Sequence, residues 1–184
     1  MMEEASVVDL LDSASTLIAL NLAGRGVAAL PDLAPFKNLT ELDLSNNCLL
    51  SHQRTLHSLK FLKRLFLRQN QLQALWPLPN TLEVLDLASN CLQALTGLEQ
   101  LPRLQSLNIA HNQVSSLAFL QTVPGLKYLY AAHNQVTALA GLDTASLVEV
   151  DLSHNKLETL SSLQVLARAK TVLVLQLTGN PVFE

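Results

Sequence analysis

The residues that could do chemistry are few and regularly placed. His111, His133 and His154 follow one another at intervals of 22 and 21 residues. Three imidazoles make a plausible zinc set if they converge on one point. Two thiols are present, Cys48 and Cys91. Ser106, His133 and Asp86 supply the residue types of a nucleophilic triad. Each of these chemistries needs convergence, and the spacing opposes it. The three histidines hold one place in successive copies of the same sequence phrase. On neighbouring strands their rings would stand about 4.8 Å apart, side by side rather than around a metal. Titration near neutrality suits them better than metal binding. Cys48 and Cys91 also hold equivalent places, two copies and so roughly 10 Å apart, beyond the reach of a disulfide. No nucleophile elbow accompanies Ser106, and no phosphate-binding loop occurs among the six glycines. The expectation is a protein that is not an enzyme and uses no metal or cofactor.

The phrase that spaces these residues is L-x-x-L-x-L-x-x-N-x-L. Its asparagines are Asn47, Asn70, Asn90, Asn112, Asn134, Asn155 and Asn180, at intervals of 20 to 25 residues. Leu39, Leu42, Leu44, Asn47 and Leu49 form one copy. Leu126, Leu129, Ala131, Asn134 and Val136 form another. An eighth, degenerate copy begins at Leu17 and has Arg25 in place of asparagine. Positions four to six alternate in and out with the period of a strand. One repeat cannot bury its leucine face alone, so neighbours must stack and share a core. The asparagine side chain has donors and an acceptor, so it can satisfy backbone groups where the chain leaves the strand. Stacked copies predict an asparagine ladder.

After each asparagine, apolar residues recur every third position, as in Leu92, Leu95 and Leu98. That spacing predicts 3₁₀ or short helical segments. Two prolines make Trp76–Asn80 extended, and Ser161–Lys170 is the segment best suited to an α-helix. Residues 1–15, carrying Val7, Val8, Leu10 and Leu11, are expected to form a helical cap, and 16–184 the repeat domain. The fold class is α/β: a solenoid of about eight repeats with a curved parallel sheet on its concave face.

Composition narrows the function. The net charge of −3 offers no bulk basic excess for direct nucleic-acid binding. No apolar run reaches the roughly 18 residues of a membrane span. The acidic start, Met1-Met2-Glu3-Glu4, does not read as a secretory signal. The two cysteines are not arranged as a clamp at either end, which favours a reducing, cytoplasmic compartment.

On these phrases the chain resembles the cytosolic leucine-rich-repeat family of the short, 22-residue class. That class includes the repeat-built regulatory subunit of protein phosphatase 1, dynein light chain 1 and centrosomal and ciliary scaffolds. The resemblance covers about residues 16–184. It implies a scaffold that binds protein within a cytoskeletal, centrosomal or ciliary assembly or, alternatively, a regulatory subunit of an enzyme such as protein phosphatase 1. The phrase Leu177-Thr178-Gly179-Asn180-Pro181-Val182 resembles the last repeat before a C-terminal cap, which implies that more chain follows in a longer protein.

Four columns of non-leucine residues should face the concave side: the third, fifth, seventh and eighth positions of each phrase. The seventh column is mostly small, forming either a trough for a partner helix or extended peptide or simply a crowded row. Arg64, Phe66 and Arg68 fall in one repeat, and Tyr128 and Tyr130 fall three repeats later. Outward arginine and aromatic residues are favoured anchors at interfaces. Asp86, Glu149 and Asp151, with Glu41 and Asp43, add negative charge. The expected partner is a protein segment with basic and apolar residues, bound through Arg64, Phe66, Arg68, Asp86, Tyr128, Tyr130, His133, Glu149 and Asp151. Pairing of Glu41 and Asp43 with Arg64 and Arg68 is the competing, purely structural use of those charges.

Overall fold

The computed structural model describes residues 14–183 except 31, 51–54, 144–145, 160–163 and 166. The helical cap expected at 1–15 therefore lies almost entirely outside the described residues. Eight three-residue strands follow the eight phrases: β1 (Ala19–Asn21), β2 (Glu41–Asp43), β3 (Arg64–Phe66), β4 (Val84–Asp86), β5 (Ser106–Asn108), β6 (Tyr128–Tyr130), β7 (Glu149–Asp151) and β8 (Val174–Gln176). They form one parallel sheet in sequence order. Every pairing joins equivalent phrase positions, as in Leu85 with Leu107 and Asp86 with Asn108.

The fold is thus a parallel-sheet solenoid, as the repeat requires. The leucine at the centre of each strand points inward. From β2 to β7 these residues, Leu42, Leu65, Leu85, Leu107, Leu129 and Val150, are at most 1 % exposed. Leucines at the first and sixth phrase positions and along the returning segments complete one continuous aliphatic core. At β8 the equivalent residues, Val172, Leu175 and Leu177, are only partly buried. The returning segments are short 3₁₀ turns at Thr55–Ser58, Leu98–Gln100, Ala118–Thr122 and Pro181–Phe183. Trp76–Pro79 contains no helix. Part of Ser161–Lys170 lies outside the described residues, and the rest forms tight turns, with Arg168 and Ala169 donating to the Val165 carbonyl, rather than a regular α-helix.

The seven asparagines hold the turns together. All are buried. Asn112 shows the pattern. Its Nδ2 donates to the Ile109 carbonyl of its own repeat and to the Leu87 carbonyl of the repeat before, both at 3.0 Å. Its Oδ1 accepts from the Leu92 N–H at 2.9 Å. The Leu87 carbonyl also accepts from Asn90, and the Ile109 carbonyl also accepts from Asn134. Each of these carbonyls therefore joins two asparagines, and the same sharing runs unbroken from Asn47 to Asn180. Polar groups that burial would otherwise leave unpaired are satisfied repeat by repeat.

Candidate protein-binding face

The residue at the eighth position of each phrase is left-handed. Gly24, Asn46, Gln69, Ser89, His111, His133, His154 and Gly179 have φ between 54° and 71°. This conformation costs an ordinary side chain about 1–2 kcal/mol, and asparagine, glycine and histidine tolerate it best. The turn points the eighth side chain out along the rim of the sheet. His111, His133 and His154 consequently stack face to face, with ring centroids 4.3 Å apart and planes 11° apart in each pair. Among the described residues, no group of three His, Cys, Asp or Glu side chains is placed to hold a metal. Beyond His154 the next position is Gly179, and a Cβ there would collide with the His154 ring. Glycine thus meets two demands at once, a positive φ and room for the last imidazole. Burial, together with the neighbouring His111 and His154, pushes the His133 pKa down, and Asp151 opposes the shift.

The fifth column has a second task that sequence reasoning missed. Asn21, Asp43, Asp86, Asn108 and Asp151 each accept a hydrogen bond from the backbone N–H two residues ahead, at 2.8–3.0 Å. These are Asx turns that bend the chain off the strand toward the left-handed residue. The spacing was legible, since Asp or Asn stands three residues before the eighth position in five copies. Phe66 and Tyr130 occupy the same column and have no side-chain acceptor of that kind. Three repeats lack the Asx turn: two present an aromatic ring, Phe66 and Tyr130, and the last carries Gln176.

The other expected site residues sort as follows. Arg64 and Phe66 lie on β3, and Arg68 follows the strand. Arg64 is paired with Glu41 on β2, its Nε 2.6 Å from Oε2, which is the structural use of that charge. Asp43 holds its own turn through Ser45. Tyr128 is 38 % exposed, and Tyr130 is half-buried on the same strand. Burial, together with the neighbouring Glu149 carboxylate, raises the Tyr130 pKa. Asp86 is half-buried at the centre of the face. Burial raises its pKa, against the lowering effects of the Ala88 N–H, Arg68 and Asn108. Glu149 and Asp151 flank the tyrosines on β7, paired in register with Tyr128 and Tyr130. The thiols of Cys48 and Cys91 are free and exposed.

Two family models match the chain: a two-copy leucine-rich-repeat model over residues 80–122 and a single leucine-rich-repeat model over 38–59. A search of curated proteins gives no match. Among solved structures, internalin C2 of Listeria monocytogenes is 25 % identical with a TM-score of 0.79, covering 93 % of this chain and 75 % of its own. A leucine-rich-repeat protein of Leptospira interrogans is 26 % identical with a TM-score of 0.81, covering 95 % and 46 %. The LRIM1/APL1C complex contains a chain that is 26 % identical with a TM-score of 0.70, covering 92 % and 36 %. The chain thus spans three quarters of the first structure and less than half of the other two. Among the described residues, no helix is long and apolar enough to cross a membrane.

Proposed function

We propose that this chain, a leucine-rich-repeat solenoid, is a protein-binding module whose concave face takes a partner segment with apolar and basic residues. Leucine-rich-repeat proteins generally act through protein–protein contacts, and the relatives include a chain crystallised in a complex. The observation that carries the reading is the replacement of a turn-forming Asx by Phe66 and Tyr130. Each replacement gives up a local hydrogen bond worth about 1 kcal/mol and leaves an aromatic ring on a face that elsewhere carries polar or small side chains. Rings in such places are favoured binding anchors. Asp86, Glu149 and Asp151 around them suit a basic partner. The exposed free thiols at Cys48 and Cys91 fit a reducing compartment and so a cytoplasmic scaffold; its cytoskeletal, centrosomal or ciliary setting rests on the family resemblance alone.

A quantitative pull-down with the wild-type chain beside Phe66→Ala/Tyr128→Ala/Tyr130→Ala tests this. Specific proteins should disappear with the variant while its circular dichroism and melting remain those of a folded solenoid. Identical capture by the two chains would place binding elsewhere.

A further inference from the structure

The two aromatic strands are not adjacent. Between β3 and β6 lie β4 and β5, and their outward residues are modest: Val84, Asp86 and Ala88, then Ser106, Asn108 and Ala110. On the β3 side Arg64 is drawn away from this floor to Glu41 on β2, while Arg68, just after β3, interacts electrostatically with Asp86. An open trough is left over two strands, with Phe66 on one wall and Tyr128 and Tyr130 on the other. Its walls are three strand spacings apart, about 14 Å between strand axes. An α-helix with its side chains is about 10–12 Å across. Along the strands the floor runs from the third phrase position toward the eighth, at most roughly 16 Å because the Asx turns shorten it, which accommodates up to about three helical turns.

The backbone decides between a helix and an extended segment. The N–H and C=O groups of β4 and β5 pair with neighbouring strands. The Asp86 and Asn108 side chains turn back to Ala88 and Ala110. An extended peptide laid on this face would find few partners for its own backbone, which a buried contact cannot leave unpaired. A helix brings its backbone already satisfied. Resting on the protein-binding role proposed above, we infer that the trough over β4 and β5 seats one amphipathic α-helix of a partner protein, lying parallel to the strands. The helix presents an arginine or lysine to the Asp86 carboxylate and apolar residues to Phe66 and Tyr128.

Site-specific photocrosslinking in cells tests this with the full chain. p-Benzoylphenylalanine is placed at Ser106 in the trough and, in parallel chains, at Ala19 and Val174 on the end strands. The adducts are mapped by mass spectrometry. The expected result is an adduct at Ser106 on a segment with apolar residues at helical spacing and at least one arginine or lysine. The same segment, made as a peptide, should become helical on binding and bind at least tenfold more weakly to Asp86→Asn than to wild type. Asp43→Asn, outside the trough, should change that affinity less than twofold. Asp86→Asn keeps its turn because Asn108 forms the same turn in the next repeat. An adduct at Ser106 on a proline-rich or extended segment would overturn the helix but keep the concave face as the binding site. Adducts confined to Ala19 or Val174, or none at Ser106, would overturn both. Equal affinity of Asp86→Asn and wild type would remove the cation from the account.

Discussion

The interior and the concave surface of this solenoid are built from alternate residues of the same strands, yet they obey different rules. Inside, each repeat does what its neighbours do. The central leucines are sealed from β2 to β7, and the asparagine ladder shares the sixth-position carbonyls from Leu44 to Leu152 between two repeats. Outside, the third and fifth columns change from strand to strand. Where they keep to a rule, as in the five Asx turns, the rule is structural. Where an aromatic replaces the Asx, at Phe66 and Tyr130, the turn bond has been exchanged for half-buried aromatic surface. The comparison separates the residues that hold the fold from those that are free to meet a partner.

Four changes should break or sharpen that contrast. Asn112→Ala should have the largest effect, about 2–4 kcal/mol of stability by urea unfolding. It leaves the buried Leu92 N–H unpaired and takes a donor from two carbonyls. An interior position that tolerated this loss would contradict the ladder's role. Phe66→Ala should leave stability within about 1 kcal/mol while costing more than about 1 kcal/mol in affinity for a partner isolated with the wild-type chain, as expected of an anchor; calorimetry on both chains reads the split. Tyr130→Asn should move in the opposite sense from most mutations. It restores the turn acceptor used by Asn108 and should raise stability by roughly 0.5–1 kcal/mol while weakening binding.

The smallest effect is on pH dependence. The His133 pKa is lowered in the folded chain by burial and by its two stacked neighbours, while the unfolded chain keeps the ordinary value near 6.5. The unfolded state therefore binds more protons around that pH, and this contribution to stability falls as pH drops through about 6.5. Urea midpoints from pH 7.5 to 5.5 should fall more for the wild type than for His133→Asn, which suits the left-handed turn as Asn46 does. Parallel curves for the two chains would remove the stack as the source.

The fold was legible because its signal is redundant. The phrase marks the inward leucine of each strand and the asparagine of each turn, and the pairings join equivalent positions as that register demands. The fifth and eighth columns were harder to read, because their residues answer to two demands at once. Asp86 looked like binding charge, yet its side chain also closes a turn. Gly179 looked like an ordinary turn residue, yet it also makes room for His154. Arg64 had two readings, partner anchor or pair for Glu41, and it takes the second. Stacking of the imidazoles depended on the common left-handed φ of their turns, which glycine at Gly24 and Gly179 and asparagine at Asn46 had hinted at. The gap between β3 and β6 became a trough only once Arg64 was seen to pair away from it with Glu41.

The central claim is that the concave aromatics stand where the fold would prefer a turn-former, and that binding is the reason. The double variant Phe66→Asp/Tyr130→Asn tests it most directly, with urea unfolding and quantitative partner capture measured on the same preparation. The account predicts a chain at least as stable as the wild type that no longer retains the partners. A chain that is clearly destabilised, yet captures the same proteins in the same amounts, would contradict it.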